Sequence, residues 1–150
     1  MLSAKALVDV LLDEADVIDE LVDAIVEQRE TVREKDHALL QDQMKYVQEI
    51  FFDVQALEAR RERLVQALAG ELRCPGRLAN LVKALPEAEG TELRSAGDRF
   101  GHSIFALKAE MTILSGLIEH NERFSALLLS EWRRLSGDGF MQSEGLDFRG

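Results

Sequence analysis

The stretch QRETVREKDH, residues 28–37, decides how this chain folds. Val32 is its only aliphatic residue, while the sequence on either side carries apolar residues at helical spacing. Residues 1–69 contain no glycine and no proline, so nothing else in them punctuates a helix. One uninterrupted helix over that span would be about 100 Å long at the α-helical rise. A chain of 150 residues cannot cover so long a rod. The spacing therefore predicts a break here. Asp36 is the expected N-cap of the second helix, its carboxylate accepting from backbone N–H groups that the first turn leaves free.

On the N-terminal side of the break, Leu7, Leu11, Ile18, Leu21, Val22, Ile25 and Val32 line one helical face. The opposite face is acidic: Asp9, Asp13, Asp16, Glu20, Asp23, Glu27, Glu30 and Glu34 follow one another in alternating steps of four and three. Through residue 34 there are ten acids against three bases, which places seven of the ten net negative charges in this one helix. A solvated helix face accounts for such a stripe, and a docking face for a basic partner is the alternative. On the other side of the break, Leu40, Met44, Val47, Phe51, Val54, Leu57, Leu64 and Leu68 form the second seam, expected to stop near Gly70. Arg60 and Arg61 interrupt its apolar phase.

Residues 70–90, GELRCPGRLANLVKALPEAEG, hold both prolines and three glycines. They read as a loop with one short helix around Arg77–Ala84, whose Leu78, Leu81, Val82 and Leu85 plug an end of the bundle. A third long helix starts between Glu87 and Thr91 and ends near Leu135. Its seam is Leu93, Gly97, Phe100, Ile104, Leu107, Met111, Leu114, Ile118, Asn121, Ser125, Leu128, Trp132 and Leu135, again in fours and threes, the spacing of coiled-coil-like packing. Gly97, Gly101 and Gly116 each cost roughly 1 kcal/mol relative to alanine, which suits a close helix approach or a bend. Residues 137–150, GDGFMQSEGLDFRG, carry four glycines and no periodicity, and form a tail beyond a 1–136 helical domain. The expected fold is all-α: an elongated antiparallel bundle of three long helices with a short extra helix.

Composition narrows the function. A net charge of −10 leaves no basic surface to displace counterions from phosphates, so nucleic acid is not an expected partner. The same sign disfavours anionic membranes, no stretch is apolar enough for membrane insertion, and Asp9, Asp13 and Glu14 spoil a secretory signal. Cys74 is the only cysteine, so no internal disulfide forms and a reducing cytoplasm is the default location. Glu34 and His37 make one Glu-x-x-His motif, where a di-iron bundle needs two, and a solvated turn explains them. His102 lacks the following glycine of a phosphotransfer histidine. Cys74 has Arg73 and Arg77 nearby but no organised base. No catalytic residue, metal ligand or cofactor is expected. These are the parts of a binding protein.

Two segments resemble a known family. VEQRETVREKDHALLQDQMKYVQEIFFDVQALEARRERLVQALAG, residues 26–70, is similar to the signature run of the FlgN-type flagellar export chaperones, with Asp36, Lys45 and Arg60 or Arg61 at its characteristic places. LIEHNERFSALLLSEWRRL, residues 117–135, resembles the family's third helix, with Asn121 and Phe124 in register. Where the family places a tyrosine and a glycine just beyond that helix, this chain has Phe140 after GDG. The resemblance spans about residues 5–140. It implies a cytoplasmic chaperone that needs no nucleotide and binds helical terminal segments of hook–filament junction (hook-associated) proteins. Such a chaperone prevents early assembly and delivers its client to the flagellar export apparatus. Candidate contacts for a client helix are Leu117, Phe124, Leu127, Leu129 and Trp132, joined by Phe140, Leu146 and Phe148 of the tail. Asn121 is a polar residue on an apolar seam, a placement that pins register at some cost in stability. The alternative is a scaffolding bundle, weakly self-associating, with no client.

Overall fold

The computed structural model describes residues 2–119, in which the order of elements is α1 (Leu2–Glu34), α2 (His37–Leu72), α3 (Leu78–Ala84) and α4 (Glu87–Glu119). The protein is all-α. The break falls where the apolar spacing lapses. Lys35 takes a left-handed conformation (φ 59°), and its N–H and that of Asp36 donate back to the Val32 and Thr31 carbonyls. This closes the C-terminus of α1. Asp36 then caps α2, its carboxylate accepting from the Leu39 N–H at 3.0 Å. Two residues thus end one helix and start the next.

Cross-helix contacts define the directions. Ser3 meets Glu71, Glu14 meets Arg61, and Gln28 meets Met44, so α2 runs antiparallel to α1. Asp16, Asp19 and Arg29 of α1 meet Arg99, Ser103 and Glu110 of α4 at separations of 80 to 84 residues, so α4 runs parallel to α1. The long helices therefore go up, down and up, each antiparallel to the one before. α1 packs against both α2 and α4, and α3 seats against α4 and the end of α2.

Burial follows the four-and-three spacing. In α1, Leu7, Leu11, Ile18, Leu21, Ile25 and Val32 are buried, while Val22 packs at the edge. All eight acids of the opposite stripe are exposed. In α4, Leu93, Phe100, Ile104, Leu107, Leu114 and Ile118 are buried and Met111 is half-buried.

The second seam departs from expectation. Leu57 and Leu64 are only partly buried, and the line passes instead through Glu58, Arg61 and Val65. Arg60 is exposed, but Arg61 is 3% exposed and does not interrupt the core. Its guanidinium is 2.7 Å from Glu58 and 3.7 Å from Glu14, which is fully buried, and it lies 5.5 Å from the centre of the Phe100 ring. A buried arginine survives there because carboxylates and an aromatic face replace its water.

α2 also runs past Gly70 to Leu72, where Arg73 turns left-handed (φ 53°) and donates to the Ala69 carbonyl. Leu78, Leu81 and Leu85 are buried and Val82 packs beside them, so the short helix plugs the bundle end. At the α3–α4 elbow a Cβ on Gly90 would stand 2.6 Å from the Val82 carbonyl oxygen, so only glycine fits. Gly116 differs, because a Cβ there would meet nothing within 4 Å. Close approach to a helix among the described residues does not account for it.

Candidate functional site

The residues singled out for partner binding begin where α4 approaches the α1–α2 turn. With α4 offset from α1 by 80 to 84 residues, Leu117 and Ile118 stand level with the end of α1 and the capping Asp36. Ile118 is buried and Leu117 packs partly against the core. Asn121, Phe124, Leu127, Leu129 and Trp132, with Phe140, Met141, Leu146 and Phe148, lie outside the described residues. The helical surface leading up to them is described, and it is unusual.

Between His102 and Gly116 the exposed residues of α4 are His102, Phe105, Ala109, Thr112 and Ile113, none of them a formal charge. Phe105 is 68% exposed and Ile113 is 44% exposed. Neither charged residue of this stretch is fully exposed. Lys108 is half-buried, and Glu110 accepts from Arg29 of α1 at 2.6 Å. A polar clamp lies further down α4. Arg99 donates to Asp16 at 3.0 Å and to Asp19 at 2.6 Å, while Ser103 accepts from Arg99 and donates to Asp19, both at 2.7 Å. The Asp19 hydrogen bond holds the Arg99 guanidinium charged even more firmly than usual. These pairs face α1 and fix the rotation of α4, which turns Phe105 and Ile113 outward.

Some of the α1 stripe is engaged as well. Asp16 takes part in the Arg99 clamp, Glu30 pairs with Arg33, and Glu20 accepts from the Tyr46 hydroxyl of α2. That hydrogen bond stabilises the neutral phenol and raises the Tyr46 pKa above its ordinary value. Glu34 and His37 flank the turn, both exposed, and among the described residues no group of three potential ligands is placed to hold a metal ion. Cys74 is a free, half-buried thiol. Among the described residues no helix is long and apolar enough to cross a membrane.

The apolar count along the sequence passed over Glu14, Gln28, Glu58 and Arg61. The signal was present. Leu7, Leu11, Glu14, Ile18, Leu21, Ile25, Gln28 and Val32 step by four and three without a gap, and so do Val54, Glu58, Arg61, Val65 and Leu68. Phe52 and Phe105 were also passed over, because they fall off the seams. Both are 68% exposed.

A family model, FlgN protein, matches residues 1–140, spanning all four helices. The chain belongs to the FlgN family. That family consists of flagellar export chaperones, so the protein is a flagellar export chaperone in this general sense, and its partners are flagellar export clients. FlgN proteins are a family of chaperones, not known as enzymes. Comparison with curated proteins and with solved structures gave no match.

Proposed function

We propose that this FlgN-family protein works in the cytoplasm on hook-associated proteins. It binds their helical terminal segments, prevents their premature assembly and brings them to the flagellar export apparatus. One observation carries the proposal. The α1–α2 hairpin turns back at Lys35–Asp36, level with Leu117 and Ile118, while the four-and-three pattern of the sequence runs on through Asn121, Ser125, Leu128, Trp132 and Leu135. A helix continued past that level would outrun the hairpin. Its apolar residues, together with Leu117, Phe124, Leu127 and Leu129, would then be offered to a partner helix in the way that helix-in-groove recognition requires. The tail residues Phe140, Leu146 and Phe148 would close over the bound segment.

Calorimetry with the terminal peptide of a hook-associated protein tests this, using the full chain and a chain truncated after Leu135. The melting temperature should be nearly the same for both. Truncation should raise the dissociation constant at least tenfold, since two buried phenylalanines contribute about 1.5–3 kcal/mol each before ordering costs. Equal affinity removes the tail from the mechanism. No binding by either folded chain removes hook-associated proteins as the client and favours a scaffolding role for the bundle.

A further inference from the structure

We infer that the client-binding surface extends down the outer face of α4 through Phe105, Ala109, Ile113 and Gly116, residues that lie on described structure below the hairpin turn. The inference rests on the client-binding reading above and adds this segment to it. The four positions are spaced four, four and three residues apart, so they form one stripe on the helix. Leu117 follows Ile113 by four and continues the stripe upward into the proposed site.

Three observations fit a helix of the export client lying along this stripe. The first is charge. The exposed positions from His102 to Gly116 carry no formal charge, in a protein whose net charge is −10. An apolar helix face can dock there without stripping water from a carboxylate. The second is shape. Phe105 projects as a large side chain, while Gly116 leaves open space in which a partner's side chain or backbone can come close. The third is size. A stripe from residue 105 to 116 covers roughly 200 Å² at the helical rise and width, against about 800 Å² per partner in a stable interface. Alone it is too small to hold either a client or a second copy of this chain. Joined to the row that starts at Leu117, it becomes one end of a longer contact.

The test is calorimetry with the same hook-associated terminal peptide on full-length wild type, Phe105→Asp and Gly116→Leu. Phe105 is 68% exposed and a Cβ at residue 116 would meet nothing within 4 Å, so melting temperature and helicity should hold. The expected result is a rise of at least tenfold in dissociation constant for each variant. Wild-type affinity in two folded variants overturns the extension while leaving the chaperone reading intact. A wild-type mass in sedimentation that doubles with concentration, and reverts in Phe105→Asp, overturns it in favour of a second copy. A wild type that binds no peptide brings down both readings together.

Discussion

α1 and the described part of α4 lie parallel and bury an apolar seam of the same spacing, yet they present opposite surfaces to water. The outer face of α1 is a row of eight carboxylates. The exposed residues of α4 from His102 to Gly116 carry no formal charge. Carboxylates hold water and resist burial, so α1 is protected from adventitious apolar contact. α4 has no such protection where Phe105 and Ile113 stand exposed. On the client-binding reading proposed above, the charged helix would stay in water while the outer face of α4 would be left to bind.

The contrast breaks most severely at the one acid of α1 that is fully buried. Glu14 sits beside Arg61, and Arg61→Met would take away the cation that faces this fully buried carboxylate. Urea unfolding should show a loss of about 3–5 kcal/mol. Adding Glu14→Leu to that variant should recover most of the loss, because a well-packed apolar pair replaces the ion pair at little cost. An unchanged unfolding midpoint in the single variant would show that Arg61 is not what balances Glu14.

A smaller effect is expected on the outer row. Converting Asp9, Asp13, Asp23 and Glu27 to lysine should leave helical circular dichroism intact, each change contributing under about 1 kcal/mol. Loss of the fold would mean that the stripe faces protein rather than water. If the variant folds and still binds the client peptide but loses export, the stripe is a docking face for a basic partner.

The smallest effect sharpens the border between α1 and α2. Tyr46 should titrate above the ordinary tyrosine value of about 10 in an absorbance titration, and Glu20→Gln should bring it back down. The sign follows from the neutral phenol being the favoured form. Its contribution to stability is complete below the unfolded pKa and is lost as pH rises through the folded one. A Tyr46 midpoint unmoved by Glu20→Gln would remove this hydrogen bond from solution behaviour.

The break at residues 28–37, the four helices and the acidic row were legible in the sequence because each depends on local spacing or on local capping chemistry. Asp36 is the clearest case, since a carboxylate three residues before a free N–H needs no tertiary context. The Glu14–Arg61 contact was not legible. Its members are 47 positions apart on different helices, and a search for apolar residues passes over a seam position filled by charge. Phe105 escaped for the opposite reason. A lone aromatic off the seam looks like an ordinary surface residue until the clamp at Arg99, Ser103 and Asp19 shows which way α4 is turned. The register role expected of Asn121 lies outside the described residues; among the described residues Glu14, Gln28, Glu58 and Arg61 are polar residues on seams.

The parallel docking of α4 on α1 constrains the order in which the chain can assemble. The polar contacts between those helices span 80 to 84 residues, so from an unfolded chain each demands a long loop closure with little local reward. The α1–α2 hairpin has no such barrier, because its contacts can zip outward from the turn at Lys35–Asp36. Once it has closed, the end of α2 stands beside the start of α1, and only the residues from Arg73 to Pro86 separate it from α4. The α1–α2 pair is thus the natural folding nucleus. The helix proposed to hold the client is then the last long element to arrive, and it completes the core with Leu93, Phe100, Ile104, Leu107 and Leu114.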